Sequence, residues 1–563
     1  MDTRILLTIV LALGLVFAYQ ELVIKRLYPP PAQNAAQPIG SPGAGSPGPE
    51  SQAGSSSESG EASQSPSGSP SEGITIAALT GAPAPIKTVT IETDLYVAQV
   101  TSAGGRLESL RLKKYRETSA PDSPLYEMVR AGDSGTLPLG VLVNESGTIA
   151  SDRGLSYTTD SPDKLTPAAN QPSTVTFTAH TRDGLTLTKT FAFSDGTYVF
   201  DLKADIAGAK SKVTQSGLTM SQPLVALAGY ADIPELEADI AGKVVTERQK
   251  ALLKGVPAAS GPILFAGFGD RYFLSVYLPK QPAIGTLLME YSDDEAHAHL
   301  IFDGARELDS QVYMGPKSLD VLDAINPALS KSIDFGFMGI IALPFLRALK
   351  LFYRIAPNYG VAIILLTVVV RLFTLPMSIK GQRSMMRMQR LQPQITRLRE
   401  RYKEDQERLN REMIDLYKRN HVNPIGGCLP MVIQLPILWG LYEALLNSIE
   451  LRQAPFVGWI RDLSVPDCLH IPGMPELPMT HCHGIPVLVV LLAGSAILQQ
   501  WLAPKQPDPS QQKMMMYMPL MFCLIFISLP SGLSLYYLAS NLLGVIQQVF
   551  LNYEFKQSAP ATT

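Results

Sequence analysis

The residue that stands out for its chemistry is Arg371, because it lies inside an apolar segment that is otherwise uncharged. A guanidinium within a membrane-spanning helix costs several kcal/mol, so it should face water, a polar cavity or a partner. Thr367, Thr374 and Ser378 recur around it at helical spacing and would share its face. We therefore predict a cationic site inside a helical bundle. The alternative is that Arg371 extends toward nearby lipid headgroups.

Other apolar segments offer polar side chains that could join Arg371. Gln434 lies between Pro430 and Pro436, and one face of the last segment carries Ser534, Tyr537, Asn541, Gly544 and Gln548. Taken singly, each could be a hydrogen bond between helices. Taken together with Arg371, they predict a hydrophilic cavity within the bundle.

The common catalytic motifs are either absent from the sequence or lack the structural context that they need. The sequence has no HExxH motif, no P-loop, and no GxSxG in a strand–turn–helix context, and its seven histidines lie outside the apolar segments. The GxGxxG at residues 43–48 has no strand before it and no helix after it. We therefore predict that the protein is not an enzyme and that it needs no cofactor or metal.

The composition excludes two classes of protein. With 47 Lys and Arg against 50 Asp and Glu, the net charge is −3, which gives no basic excess for wholesale nucleic-acid binding. Four cysteines in 563 residues exclude a disulfide-rich secreted scaffold. Changes in composition instead divide the chain into an N-terminal membrane anchor (1–28), a Pro/Gly/Ser-rich disordered linker (29–73), a β-sandwich domain (74–332), an interfacial amphipathic helix (333–357), a five-span helical core (358–551) and a short tail (552–563).

The anchor follows from an apolar run over residues 5–18 with no cleavage site directly after it, which favours an uncleaved signal anchor over a cleaved signal peptide. The β domain follows from short alternating segments separated by turn residues. Its predicted strands include Thr88–Val100, Leu107–Leu112, Thr174–Thr178, Leu185–Phe193 and Thr197–Leu202.

The helical core follows from five apolar segments, preceded by a stretch in which Arg347, Lys350 and Arg354 share one helical face. The five predicted spans are Gly360–Leu375, Ile425–Leu446, Ile485–Leu502, Met514–Leu529 and Ser531–Phe550. The connection 378–423 is strongly basic and has the pattern of a helical hairpin with a break near residues 403–405. By the positive-inside rule this hairpin and both termini are cytoplasmic, and the β domain lies outside.

Cys468 and Cys482 fall in the outer connection between the second and third spans. In an oxidising compartment we expect a disulfide between them. A Cys/His metal site is the alternative, since His470, His481 and His483 lie nearby.

Four ordered blocks resemble one family closely. They are residues 366–376 around Arg371, residues 423–436 with Gly426-Gly427-Cys428 and Gln434-Leu435-Pro436, residues 451–456 (Leu-Arg-Gln-Ala-Pro-Phe), and residues 529–541 with Tyr536-Tyr537 and Asn541. This arrangement is similar to that of the YidC/Oxa family of membrane protein insertases. The anchor, linker and large outer domain resemble the Gram-negative YidC form, whose extra domain is a periplasmic β-super-sandwich.

The resemblance implies an insertase and chaperone of the bacterial inner membrane that inserts, folds and assembles membrane proteins, alone or with the Sec translocon. Arg371 matches the arginine of the family's groove, which is open to cytoplasm and lipid, and Thr367, Gln434, Tyr537 and Asn541 would line it. Implied partners are nascent membrane proteins, Sec components, the bilayer and the ribosome, through the 378–423 hairpin, with a monomer as the working unit. The tail departs from many relatives in lacking a polybasic stretch. A transporter or channel that uses Arg371 as an anion site is the alternative.

Overall fold

The structure is a computed structural model that describes residues 76–120, 122–130, 135–145, 147–168, 171–208, 213–223, 233–254, 258–280, 284–292, 295–420, 422, 429–475, 483–503 and 509–557. The predicted anchor and linker, together with the last residues of the tail, lie outside these ranges. Of the described residues, those from 76 to 503 and from 512 to 557 belong to one compact unit.

The first part of this unit is built of β-strands, which confirms the predicted all-β domain. The strands are β1 (Ala77–Ala78), β2 (Thr88–Glu92), β3 (Tyr96–Thr101), β4 (Arg106–Arg116), β5 (Leu125–Glu127), β6 (Gly140–Glu145), β7 (Thr148–Ser151), β8 (Lys164–Leu165), β9 (Ser173–His180), β10 (Thr186–Phe193), β11 (Val199–Ala207), β12 (Val213–Pro223), β13 (Glu235–Ile240), β14 (Lys243–Glu247), β15 (Ala259–Gly269), β16 (Phe273–Pro279), β17 (Ile284–Ser292), β18 (Glu295–Asp303) and β19 (Glu307–Pro316).

These strands form two sheets. The larger runs in the order β1-β7-β6-β12-β18-β17-β15-β16-β19-β11-β10-β9, with β13 paired to β14 and β15, and the smaller runs β5-β4-β3-β2-β8. In the meander β9–β10–β11, alternate side chains are buried, and Phe177, Phe191, Phe193 and Phe200 pack ring against ring. This period of two is what a sheet with one face on the core requires.

One predicted strand is wrong, because Thr88–Val100 is a hairpin of two strands, β2 and β3. The hydroxyl of Thr93 accepts hydrogen bonds from the backbone N–H groups of Leu95 and Tyr96, at 3.2 and 3.0 Å. A threonine hydroxyl that bonds to the backbone just ahead of it makes a tight turn. That turn has no glycine or proline to mark it in the sequence.

The domain core also holds a buried charge cluster that no alternation pattern predicts. Asp152 and Lys189 are fully buried and paired, and Arg106 bonds to the other carboxylate oxygen at 3.0 Å. The ammonium of Lys189 also donates to the carbonyls of Gly104, Gly105 and Leu139. Burial lowers the pKa of Lys189 to about 8, against the opposing attraction of Asp152.

The rest of the unit is helical. The helices are α1 (Gln249–Leu252) and α2 (Leu319–Ile325) in the β domain and its exit, then α3 (Gly339–Ile355), α4 (Tyr359–Arg390), α5 (Gln392–Arg401), α6 (Gln406–Arg419), α7 (Leu429–Leu446), α8 (Val487–Leu502), α9 (Pro509–Phe526) and α10 (Ser531–Gln557), with a short strand pair β20 (Leu469–His470) and β21 (Gly484–Ile485) between α7 and α8.

By length and composition, two helical segments of the described chain could cross a membrane, Gly336–Ile355 and Tyr359–Arg390. Shorter apolar helical segments cover Ile433–Leu446, Val487–Leu502 and Met516–Phe526. The segment Tyr359–Arg390 and the three shorter ones lie at the first four predicted spans, whereas Gly336–Ile355 lies at the stretch that the sequence predicts to be interfacial. Helices α4 and α10 run past the predicted ends of their spans. The number of spans stays a prediction.

Helix α3 does not present a uniform cationic face. Lys350 is mostly buried and pairs with Glu450 at 2.8 Å and Asp320 at 3.2 Å. Its charge therefore links α3 to α2 and to the connection that follows α7. Of the three cations predicted to share one exposed face, only Arg347 and Arg354 are exposed. Whether α3 lies on the bilayer stays a prediction.

Helices α5 and α6 are joined by a turn at residues 402–405 and share a small apolar cluster. Met388 and Leu391 at the end of α4, Ile395 of α5 and Val422 are its buried members. The hairpin of α5 and α6 therefore packs against the C-terminal end of α4, the helix that carries Arg371.

Candidate functional site

Arg371 is half-buried and binds helix α10. Its Nε donates to the hydroxyl of Ser540 at 2.9 Å, and its Nη2 donates to the Ser540 carbonyl at 2.6 Å. Both acceptors are neutral, and no acid pairs with Arg371 anywhere in the part of the chain that the structure describes. The side chain therefore keeps an uncompensated positive charge inside an apolar bundle.

The contact at Arg371 begins a row of polar contacts between α4 and α10. Gln547 donates to Ser378 and Gln382 at 2.9 and 3.1 Å, and Arg383 makes two hydrogen bonds with Glu554 at 2.9 and 3.1 Å. Residue numbers rise together along both helices, so α4 and α10 run parallel. Ser540, Gln547 and Glu554 are seven apart, and this heptad spacing is the sequence signal that could have identified the face.

The predicted partner residues do not all converge on Arg371. Thr367 is fully buried, and its hydroxyl donates to the carbonyl of Ile363 within its own helix at 2.7 Å. Asn541 is buried against α8, where its amide donates to Ser495 at 3.3 Å. Asn552 likewise donates to the Leu502 carbonyl at 3.0 Å, so α8 also runs parallel to α10. Asn541 of the predicted polar stripe thus faces α8, whereas the hydrogen bonds to α4 are made by residues outside that stripe, Ser540 and Gln547.

Gln434 contacts the tyrosine next to the predicted one. Its amide donates to the hydroxyl of Tyr536 at 2.9 Å and so joins α7 to α10. Tyr537 is half-buried, and its ring lies 5.1 Å from that of Phe526 at the end of α9. Ser540 and Tyr536 are the site residues that the sequence reasoning missed.

One end of the bundle is closed by the connection that follows α7. The N–H groups of Ser531 and Gly532, which begin α10, donate to the carbonyls of Val465 and Leu463 at 2.7 and 3.0 Å. At the start of α4, an added β-carbon on Gly360 would lie only 2.0 Å from the ring of Phe456.

The start of α8 is closed by the same connection. Asp467 accepts from the backbone N–H of Leu488 and from the indole of Trp459. Burial raises the pKa of this carboxyl. The first turns of α4, α8 and α10 are therefore all covered by residues 448–470.

The same connection is attached to the β domain. The guanidinium of Arg452 donates to the Arg116 carbonyl at 2.8 Å and lies 5.0 and 5.2 Å from the ring centres of Tyr126 and Phe273. Gln453 donates to the Arg116 carbonyl and accepts from its N–H, at 2.8 and 3.3 Å. The β domain thus lies at the closed end of the bundle.

Cys468 is disulfide-bonded, whereas Cys482 lies outside the described residues, so their pairing stays a prediction. Cys523 is a free, buried thiol in α9. Within the described ranges, no group of three or more His, Cys, Asp or Glu side chains could hold a metal ion.

Comparison with known proteins matches both halves of the chain. The family model described as 60Kd inner membrane protein matches residues 351–558, and the one described as YidC periplasmic domain matches residues 88–348. The membrane protein insertase YidC of Geobacter sulfurreducens is 32% identical over 82% of this chain and 85% of the relative. That of Syntrophus aciditrophicus is 31% identical over 98% of this chain and 99% of the relative.

Two solved structures also match. A crystal structure of an active YidC insertase with its first transmembrane domain resolved covers 85% of this chain and 95% of its own, at 17% identity and a TM-score of 0.37. A galactose mutarotase-like protein from Lactobacillus casei covers 40% of this chain and 99% of its own, at 14% identity and a TM-score of 0.28. The identities and coverage of the curated relatives decide the family: this chain belongs to the YidC family of membrane protein insertases, as an inner membrane protein with a periplasmic domain.

Proposed function

We propose that the protein inserts membrane proteins by drawing the polar end of an incoming segment to Arg371. The observation that carries this proposal is the charge state of the site: a half-buried guanidinium whose hydrogen-bond partners are the neutral oxygens of Ser540. In a medium of low dielectric constant, an uncompensated charge attracts an acidic or acceptor-rich segment strongly. The groove would hold Arg371 with Thr367, Gln434, Tyr537 and Asn541 as its predicted lining.

The arrangement of the helices supports entry from one side only. Residues 448–470 and the β domain cover the first turns of α4, α8 and α10, whereas the basic hairpin of α5 and α6 extends from the far end of α4. A segment would therefore approach from the hairpin end and stop at the closed end. Its apolar part would then partition into lipid, which supplies the driving force without enzymatic chemistry.

The parallel direction of α4, α8 and α10 supports the predicted topology. If α4, α7, α8, α9 and α10 each cross the membrane once, the first, third and fifth must run the same way, as these three do. We propose that the hairpin and both termini are cytoplasmic and that the β domain is periplasmic, in accord with the positive-inside rule. A cytoplasmic hairpin of this basicity would suit the ribosome, and Sec components and a monomeric working unit belong to the same proposal.

Photo-crosslinking during synthesis of a short single-span substrate tests the site. A photoreactive residue in place of Gln434 or Tyr537 should capture the stalled nascent chain, and one at the exposed Val490 of α8 serves as the position-matched control. In depleted cells, Arg371→Ala should reduce insertion of substrates with acidic tails, while Arg371→Lys should retain most of it because the charge remains.

Two outcomes would contradict the proposal. Stalled chains that crosslink only at Val490 would place the substrate path elsewhere. Full insertion by Arg371→Ala would show that the charge does not act. Anion flux through proteoliposomes that depends on Arg371, without any insertion defect, would instead favour the transporter alternative.

A further inference from the structure

Helix α10 has a gap in its surface against which Arg371 lies. A β-carbon added at Gly544 would lie 3.2 Å from Nη2 of Arg371 and 2.7 Å from Nε2 of Gln499. The missing side chain of Gly544 therefore makes room for two polar side chains that arrive from α4 and α8. A methyl group at this position would force the end of Gln499 to move and would press on Nη2 of Arg371.

Ser540 lies one turn before Gly544 on the same face of α10, and its oxygens fill the polar half of this gap. Its hydroxyl and its carbonyl accept from Nε and Nη2 of Arg371, which fixes the plane of the guanidinium with two hydrogen bonds. Nη1 has no hydrogen-bond partner among the described residues, and it is not a fully buried atom. Ser540 thus accepts hydrogen bonds from two of the three guanidinium nitrogens, and Nη1 remains available to a ligand.

We propose that Ser540 and Gly544 are positioning residues that hold the Arg371 guanidinium against α10 so that Nη1 faces the incoming segment. This inference rests on the proposed function of Arg371. An arginine side chain has many rotamers, so a side chain fixed before the substrate arrives loses less conformational entropy on binding it. With a side chain at position 544, the positive charge would remain in the bundle, but the guanidinium would no longer be held in one orientation.

The test measures insertion into proteoliposomes by the full-length protein, read as protease protection of the translocated tail. The probe is a single-span protein with a short acidic tail, and its twin has asparagine in place of each aspartate. Ser540→Ala removes one charged hydrogen bond and should slow insertion of the acidic probe by about tenfold. Gly544→Ala crowds the guanidinium and should slow it by a similar factor if it turns Nη2 away from the Ser540 carbonyl. Insertion of the asparagine twin should change little.

Matched controls separate positioning from packing. Gly494→Ala adds the same methyl to α8, where no atom of the described chain lies within 4 Å of it, and Ser528→Ala removes an exposed hydroxyl that donates to the Ile525 carbonyl. Both should insert the acidic probe at the rate of the unaltered protein. In an Arg371→Ala background, Gly544→Ala and Ser540→Ala should add no further loss, because residues that act through Arg371 have nothing left to position.

The outcomes distinguish this inference from the proposed function. If Arg371→Ala slows the acidic probe but Ser540→Ala and Gly544→Ala match their controls, positioning is refuted and the charge role stands. Equal losses for both probes, or further losses in the Arg371→Ala background, would mean packing alone and would also refute positioning. If Arg371→Ala has no effect, the proposed function fails first.

Discussion

At the scale of residues, the tyrosine pair of α10 shows how a one-residue step decides a contact. Gln434 bonds to Tyr536 and not to Tyr537. We predict that Tyr536→Phe and Gln434→Leu destabilise the protein by about 1 kcal/mol each and that the double variant costs no more than the larger single one. Denaturant unfolding in detergent measures this cycle. Additive losses, or an equal coupling of Gln434 to Tyr537→Phe, would contradict the observed pairing.

A histidine in the β domain should make its stability depend on pH. His297 on β18 bonds to the hydroxyl of Ser221, and burial, followed by the charge of nearby His299, lowers its pKa to about 4. An unfolded histidine titrates near pH 6.5. Between about pH 6.5 and 4 the unfolded chain therefore binds more protons than the folded chain, and the free energy of unfolding decreases as the pH is lowered. From pH 7 to 5 this residue should cost about 1–2 kcal/mol.

The comparison that isolates His297 is with His297→Gln. Burial raises the pKa of Glu237 to about 7, which acts in the opposite direction because the folded carboxyl binds the extra proton. The whole profile therefore mixes signs, whereas the difference between the two proteins does not. On going from pH 7 to 5, hydrogen-exchange protection of β18 in the unaltered full-length protein should decrease relative to that in His297→Gln. Parallel curves would show that His297 does not titrate between the states.

At the scale of elements, the closed end of the bundle depends on close approach at the start of α4. Gly360→Ala would drive a methyl group into the ring of Phe456, which lies within a packed connection. We predict a loss of roughly 2–3 kcal/mol, the cost of overpacking a rigid contact. Gly494→Ala is the matched helical glycine and should change the midpoint of unfolding little. Similar midpoints for the two variants would mean that Phe456 moves aside freely.

How much the sequence could predict also differs from element to element. The apolar segments predicted the helices, but α4 continues through Pro376, where the prediction ended its span. Just before that proline, the hydroxyl of Thr374 donates to the carbonyls of Val370 and Arg371, at 3.0 and 3.3 Å. These two carbonyls still have N–H donors in the helix, whereas the carbonyl that Pro376 leaves without a donor is that of Leu372, four residues before it. A membrane helix tolerates proline where its surroundings satisfy the freed carbonyl, and no pattern in α4 alone predicts those surroundings.

The sequence likewise predicted one part of the site, Arg371, but not the residue of α10 that contacts it. A lone charge in an apolar helix identified Arg371, because its cost is a property of that helix alone. Which residue of α10 would meet it depends on how α4 and α8 share the surface of α10, and polar residues occur on both faces. Asn541 therefore looked equivalent to Ser540 in sequence, although the first contacts Ser495 and the second contacts Arg371.

At the scale of the whole molecule, Arg452 is one of the residues that join the β domain to the closed end of the bundle. Arg452 is 5% exposed and binds two backbone carbonyls and two aromatic rings of the domain, while its neighbours close the first turns of α4 and α10. A cation over desolvated rings contributes about 2 kcal/mol, and its hydrogen bonds add to that. Arg452→Met keeps most of the apolar stem and removes both interactions.

We predict that this substitution loosens two places at once. Hydrogen exchange of Arg452→Met should quicken by about tenfold or more in β4 and β5, because the hydrogen bonds and ring contacts of the guanidinium with these strands are lost. It should also quicken at the N–H groups of Ser531 and Gly532, which depend on the same connection for their acceptors. Strands β9 and β10, far along the larger sheet, are the internal control and should be unchanged. If only β4 and β5 responded, the domain would be attached to the bundle without stabilising its closed end, and the two halves of the molecule would be energetically separate.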